Sequence, residues 1–127
     1  EIGDARSAGR LVDALHDPGL EAAALEALRA IGVSALPEVE RAFPAATPPV
    51  RKLLVTLVGK LEDRHGRKLL LAALADDAAH VRAEAALALG DGSFLEAVRP
   101  LMDLKASDPS PQVRQAAAQA LKKLTPR

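Results

Sequence analysis

The residues of this chain that could do chemistry are three histidines and two pairs of adjacent carboxylates. His16, His65 and His80 could bind a metal ion, but each is predicted to lie in a different turn between helices. Metal ligands on a helix normally stand at spacings such as i and i+4, which bring them onto one face. Because the three histidines share no face, the sequence predicts neither a metal site nor a cofactor.

The adjacent carboxylates are Glu62 with Asp63 and Asp76 with Asp77, and both pairs lie at predicted helix boundaries. Acidic residues there cap backbone N–H groups and complement the helix dipole. A general acid needs an apolar pocket that raises its pKa, and the sequence predicts none around either pair. The absence of cysteine excludes thiol catalysis and disulfides. We therefore expect that the chain is not an enzyme.

The helices that carry these residues are predicted from a sequence segment that occurs twice. The segment from Asp76 to Leu89 returns, 32 residues later, as the segment from Asp108 to Leu121. Weaker copies begin at Val50 and at Ala23. A period in the thirties is typical of stacked repeats, in which each unit buries its apolar face against its neighbours.

Three glycines keep the same register as the repeated phrase. Gly32, Gly59 and Gly90 each follow the first apolar position of a copy by nine residues, and the fourth copy has Lys122 instead. A glycine at this position can adopt the left-handed conformation that ends a helix. The register therefore predicts a helix end at each glycine.

The apolar periodicity predicts an all-α chain of eight helices in four antiparallel pairs, each pair an A helix followed by a B helix. Ser34 is the predicted N-cap of the third helix, with Pro37 in its first turn, and Pro100 should kink the seventh helix or set its start. The predicted helices are approximately Asp4–Leu15, Leu20–Ile31, Ala35–Phe43, Pro49–Lys60, Gly66–Ala75, Ala79–Leu89, Phe94–Lys105 and Pro111–Leu124.

The pattern Asp-Pro-x-x-x-Val-Arg-x-x-Ala-Ala-x-Ala-Leu-Gly resembles the HEAT repeat, in its short bacterial and phycobilisome-lyase-like form. The resemblance implies a right-handed α-solenoid of four helical hairpins, with the B helices lining the concave side. We expect one domain over residues 1–127, with units of approximately 4–32, 33–61, 62–91 and 92–124.

The resemblance also implies a ladder in which a turn aspartate bonds the arginine of a B helix, within and between units. Asp76 with Arg82 and Asp108 with Arg114 have the required offset of six residues. The second unit keeps Arg51 but has alanine at the aspartate position, and the first unit keeps Asp17 but lacks the arginine. The ladder is therefore expected to be half-built, and its predicted members are Asp76, Arg82, Asp108 and Arg114.

The concave face follows from a turn of about 100° per residue along each B helix. Leu53 and Leu87 are apolar residues expected to see solvent there, and they either anchor a partner or pack between neighbouring B helices. Ala116, Val33 and Asp91 also fall on this face. The residues predicted to bind a partner are Glu26, Arg29, Leu53, Thr56, Lys60, Glu84, Leu87, Gln119 and Lys123.

These features predict a non-catalytic scaffold that binds another protein or peptide on its concave face. One alternative is a subunit of a bilin lyase or isomerase, which the resemblance suggests, although the chain has only two phenylalanines and no tyrosine or tryptophan. Another is nucleic-acid binding, which the equal numbers of basic and acidic residues, 17 of each, disfavour. The sequence has no apolar run long enough to span a membrane and no leader, so we expect a cytoplasmic bacterial protein.

Overall fold

The computed structural model describes residues 5–125, and this part of the chain is helical and contains no strand. Short 3-10 turns occupy Gly32–Ala35, Phe43–Ala45 and Leu95–Ala97. The predicted start of the first helix at Asp4 lies outside the described residues. The helices are α1 (Ala5–Ala14), α2 (Glu21–Ile31), α3 (Leu36–Ala42), α4 (Pro48–Leu61), α5 (Arg64–Ala73), α6 (Ala79–Asp91), α7 (Val98–Ser107) and α8 (Pro111–Leu124).

The helices pack in two layers, as expected for a helical repeat. The B helices α2, α4, α6 and α8 each contact the next one along the chain, and α1, α3 and α5 contact one another in the same order. One hydrophobic cluster continues from Ala8 in α1 to Leu124 in α8, and it includes the fully buried Leu28, Leu54 and Leu89 of three successive B helices. Each unit thus buries its apolar face mainly against its neighbours.

Prolines set several helix starts. Pro37, Pro48 and Pro111 occupy the first positions of α3, α4 and α8, where the missing N–H has no helical partner to lose. Pro100 lies in the first turn of α7, after a 3-10 turn, so it marks the start of this helix and does not kink it. The prediction for Ser34 is wrong: Ser34 belongs to the preceding 3-10 turn, and Ala35 occupies the N-cap position without a side-chain bond.

Two of the three glycines that recur in the repeat are required for a different reason from the predicted one. Of these three glycines, only Gly32 has a positive φ, of 72°, whereas Gly59 and Gly90 lie inside α4 and α6. A Cβ atom on Gly59 would stand 2.9 Å from the Cβ of Ala88, and one on Gly90 would stand 2.7 Å from the Cα of Ala120. These two glycines therefore let neighbouring B helices approach each other closely, and the prediction that they end helices is wrong.

The left-handed residue at the end of α4 is Glu62, with φ 52° and ψ 37°. A residue with a Cβ atom pays roughly 1–2 kcal/mol for this conformation, whereas glycine adopts it without strain. Glycine also gains conformational entropy in the unfolded chain, which offsets about 0.4–1 kcal/mol of that advantage. We expect Glu62→Gly to raise the free energy of unfolding by up to about 1 kcal/mol in urea titrations.

The control for this prediction is Glu62→Ala, which removes the carboxylate but keeps the Cβ atom. It should bring no comparable gain, because the strain arises at Cβ and not at the charge. A gain of equal size in both variants would show that the carboxylate, and not the backbone, destabilises this turn.

Candidate functional site

Two adjoining grooves run between neighbouring B helices. The first, of about 280 Å³, lies between α2 and α4 and is lined by residues including Leu25, Glu26, Arg29 and Leu53. The second, of about 260 Å³, lies between α4 and α6 and is lined by residues including Glu84, Leu87 and Asp91. Thr56 and Lys60 of α4 line both grooves. Seven of the nine predicted partner-binding residues therefore line the two grooves: Glu26, Arg29, Leu53, Thr56, Lys60, Glu84 and Leu87.

The apolar residues of this face are less exposed than the sequence suggested. Leu53 and Leu87 are half-buried, and Leu87 packs against the hydrophobic cluster. Ala116, predicted to see solvent, is buried because α8 lies close against α6. Val33 is exposed, but it lines a separate cleft with Leu36, Pro37, Glu40 and His65. The apolar surface open to a partner is thus a strip at the groove floors.

Polar side chains bridge the B helices across this surface. The hydroxyl of Thr56 donates to Glu84 at 2.7 Å and so links α4 to α6. Lys123 forms an ion pair with Asp91, which links α8 to α6. The predicted residue Gln119 is exposed on α8, away from the two grooves.

Some charged side chains of the grooves form ion pairs within the described residues, and that of Lys60 does not. Glu26 and Arg29 form an exposed ion pair within α2, at 3.3 Å. The side chain of Lys60 is exposed and bonds no side chain of the 5–125 range. The ammonium group that both grooves share is consequently available to a carboxylate from outside.

Arginine and aspartate side chains form a ladder whose carboxylate bonds run between units. Arg82 donates from Nε and Nη2 to the carboxylate of Asp108, at 2.9 and 3.0 Å, while its Nη1 donates to the backbone carbonyl of Asp76 at 2.8 Å. Arg51 donates in the same way to the carboxylate of Asp76, at 2.9 and 3.1 Å, and to the carbonyl of Ala46. Within a unit, therefore, arginine bonds the main chain of the turn and not its aspartate side chain. This is contrary to the expectation for Asp76 with Arg82 and for Asp108 with Arg114.

Arg51 is not among the predicted ladder members, because its own unit lacks the aspartate. The signal that could have found it is a second spacing: Arg51 to Asp76 is 25 residues, and Arg82 to Asp108 is 26. Arg114 occupies the equivalent place in the last unit and donates to the carbonyl of Asp108 at 2.6 Å.

The comparison with protein families gives a match over most of the chain. Residues 36–122 match the family model described as HEAT repeats. The chain belongs to the HEAT repeat family. No curated protein matches the sequence. The match starts in α3, which agrees with the weaker repeat pattern of the first unit.

Among the described residues, no arginine–aspartate rung joins α2 to α4. Ala24 occupies the arginine position, and in place of the rung the backbone N–H of Thr47 donates to Nε2 of His16 at 3.4 Å. This exposed bond connects the turns of units one and two. It is longer and less buried than the bidentate pairs, so we expect this junction to be the weaker one.

The buried rung of the HEAT ladder also governs a protonation equilibrium. Burial alone would raise the pKa of Asp108, but hydrogen bonds from Arg82 and from the N–H of Ser110, with the nearby arginine charges, hold this pKa below the ordinary value of 3.8. Because the folded-state pKa is depressed, the stabilisation is fully present above about pH 4 and is lost as the pH falls through the lower folded value.

We therefore expect the free energy of unfolding to decrease as the pH falls below about 4, and Asp108→Asn to flatten this dependence. Urea titrations at a series of pH values from about 7 to about 2 measure both slopes. The control is Asp103→Asn, an exposed carboxylate on α7 without an ion pair among the described residues. Equal slopes for wild type and Asp108→Asn would contradict the assigned role.

The histidines and paired carboxylates considered as candidate catalytic residues lie in turns and at helix starts. His16 lies in a turn, as predicted, but His65 and His80 lie in the first turns of α5 and α6 and not between helices. The carboxylate of Asp63 caps α5 by accepting from the N–H of His65, a bond that lowers the pKa of Asp63. Asp76 accepts from Arg51 and from the N–H of Ala78.

Residues 5–125 contain neither a metal-binding cluster nor a membrane-spanning helix. No group of three histidine, aspartate or glutamate side chains within residues 5–125 could hold a metal ion. In the same range, no helix has the length and apolar character needed to cross a bilayer.

Proposed function

We propose that this HEAT repeat protein is a non-catalytic scaffold that binds another polypeptide along the exposed face of its B helices. HEAT repeats generally mediate contacts between proteins, and stacked repeats offer extended surfaces for this purpose. Fold alone does not specify an occupant, so the proposal depends on the site. The observation that carries it is the pair of adjoining grooves between α2, α4 and α6.

The proposal includes an arrangement of the repeats. The four hairpins form a right-handed arc, and the B helices line its concave side. The grooves then lie end to end along the inner wall, with Thr56 and Lys60 at their junction. An elongated segment of a partner protein would cross both grooves in this arrangement, and a compact small molecule would contact only one.

The chemistry of the grooves suggests what such a segment carries. Leu53, Leu25 and Leu57 give the first groove an apolar floor, which suits an aliphatic side chain. Lys60 offers an unengaged ammonium group at the junction, which suits an acidic side chain. The partner segment is therefore a peptide in which an apolar residue stands beside a carboxylate.

We also propose that the protein has no catalytic activity and acts in the bacterial cytoplasm. The absence of catalytic activity is supported by the structural roles of the candidate acids: Asp63 caps α5, and Asp76 accepts from Arg51. A general acid or base needs to reach a substrate, and these carboxylates are engaged with backbone and arginine groups.

The test changes the apolar floor of the grooves. In Leu53→Asp with Leu87→Asp, two carboxylates replace the aliphatic side chains, so we expect a purified partner to bind at least about tenfold more weakly in calorimetry. Far-ultraviolet circular dichroism and thermal melts must show that the variant keeps its helices, because Leu87 also packs against the hydrophobic cluster.

The control is Leu95→Asp, which introduces one carboxylate at a leucine that is 67% exposed and lines neither groove. A partner captured by wild type and by Leu95→Asp, but not by the double variant, supports the assignment. Equal capture by the wild type and both variants overturns it. A visible absorption change with a bilin, or salt-sensitive binding of nucleic acid, would favour one of the alternatives instead.

A further inference from the structure

Within residues 5–125, the arginine–aspartate ladder leaves one carboxylate-binding edge unfilled. In each complete rung, Nη1 of the arginine is held by a backbone carbonyl of its own turn, and the Nε and Nη2 edge faces the aspartate of the next unit. Arg114 has the first of these bonds, to the carbonyl of Asp108. No carboxylate of the described residues bonds its Nε or Nη2. The half-buried guanidinium is thus oriented as in a rung whose acid is missing.

The opposite end of the structure has the complementary group. In both complete rungs, the aspartate also accepts from the N–H two residues later: Asp76 from Ala78 and Asp108 from Ser110, each at 2.9 Å. Asp17 makes the same turn, accepting from the N–H of Gly19 at 2.9 Å. The carboxylate of Asp17 is exposed and is bonded by no arginine within the described part of the chain.

We propose that this chain binds a second copy of itself head to tail, with Arg114 of one copy donating from Nε and Nη2 to the carboxylate of Asp17 in the next. The contact repeats the geometry of the two internal rungs. A planar guanidinium held at one nitrogen has little freedom left to lose on pairing, which favours a bidentate bond to a carboxylate.

The charge distribution favours the same orientation. Residues 1–63 carry 7 basic and 10 acidic side chains, and residues 64–127 carry 10 basic and 7 acidic ones. The end with Asp17 is therefore net acidic and the end with Arg114 net basic, which aligns two copies head to tail and opposes head-to-head contact.

The surface around Arg114 indicates that this contact is weak. Ala83 and Gly90 of α6 are buried, and Gly90 lies against α8, whereas the equivalent positions of α8 carry the exposed Gln115 and Lys122. The interface gains little from apolar burial, so the rung supplies much of its affinity and specificity. We expect a dissociation constant on the order of 0.1–1 mM and a marked weakening by salt. A heterologous contact of this kind extends without limit unless it closes into a ring.

The test uses two variants, each of which removes one of the two groups of the proposed contact and retains the other. Asp17→Asn keeps an oxygen for the N–H of Gly19 but loses the carboxylate, and Arg114→Gln keeps a donor for the carbonyl of Asp108 but loses the fork. In sedimentation equilibrium up to about 1 mM, wild type should form a series of species, and each variant alone should stay monomeric. The equimolar mixture should form a dimer that does not extend, because one Arg114 and one Asp17 remain.

The controls are Asp103→Asn and Arg99→Gln, exposed charges of α7 outside the ladder, which should associate like wild type. A dissociation constant raised about tenfold or more in each end variant, with recovery in the mixture, supports the proposal. A wild-type chain that is monomeric throughout, or a mixture that associates no more than its components, overturns it. Symmetric dimers unaffected by both variants would also overturn it, because they require another surface.

Discussion

Arg82→Ala should destabilise the protein by roughly 3–5 kcal/mol, a large part of the total stability of a domain of this size. The guanidinium makes three hydrogen bonds, two to the carboxylate of Asp108 and one to the carbonyl of Asp76. The side chains of Arg82 and Asp108 are only 13% and 4% exposed. Removing the arginine leaves a buried carboxylate with the N–H of Ser110 as its remaining donor, and a buried charge without its partner is costly.

The matched control is Arg114→Ala, which removes the same residue type at the equivalent place of the next unit. Arg114 donates to the carbonyl of Asp108 and bonds no described carboxylate, so its loss should cost only about 1 kcal/mol. Urea titrations of both variants at pH 7 and low protein concentration measure the difference. If Arg82→Ala cost no more than Arg114→Ala, the ladder would not stabilise the stack of repeats.

The intermediate variant Arg82→Lys separates charge from geometry. Lysine keeps the positive charge, but it cannot bond both oxygens of Asp108 and the carbonyl of Asp76 at the same time. We therefore expect a stability between those of Arg82→Ala and wild type. Full recovery would mean that charge alone is sufficient.

The sequence predicted some of the residues that form the ladder but not the units that their bonds connect. The repeated Val-Arg pair predicts that Arg82 and Arg114 belong to a structural series. The offset of six residues suggested pairing within a unit, because sequence spacing does not show in which direction a long side chain extends. In the structure, a nearby backbone carbonyl accepts from Nη1 of the arginine, and the Nε and Nη2 edge of the guanidinium bonds the aspartate in the turn of the next unit. The Arg51 pair shows this most clearly, because Arg51 bonds the carbonyl of Ala46 and the carboxylate of Asp76.

The groove residues could be predicted better than the glycines, for a physical reason. The angular spacing of a helix alone places Glu26, Thr56 and Lys60 on one face, and the structure gathers them into adjoining grooves. A glycine at a fixed place in a repeat, by contrast, has two explanations, a left-handed turn and a close helix contact. Both require the absence of Cβ, so sequence alone could not distinguish Gly32 from Gly90.

Gly90→Ala should destabilise the protein by about 1–3 kcal/mol, although alanine is the better helix former by about 1 kcal/mol. The added Cβ atom would stand 2.7 Å from both the Cα and the Cβ of Ala120, and 3.2 Å from its carbonyl oxygen. Backbone atoms cannot rotate away as the end of a long side chain can. Helix α8 would have to move away from α6, and the tightly packed contact between these two B helices would loosen. Thermal and urea unfolding measure the loss.

Gly9→Ala is the control that isolates packing from helix propensity, since Gly9 also lies inside a helix. Its added Cβ atom would meet only a carboxylate oxygen of Glu38 at 3.2 Å, and this side chain can turn aside. We expect Gly9→Ala to stabilise the protein by about 0.5–1 kcal/mol, the ordinary gain for this exchange. Opposite signs for the two variants would show that close approach of B helices, and not helix termination, requires the glycine at position 90. A stabilising Gly90→Ala would instead mean that α6 and α8 have room to spare and that their contact is not the reason for this glycine.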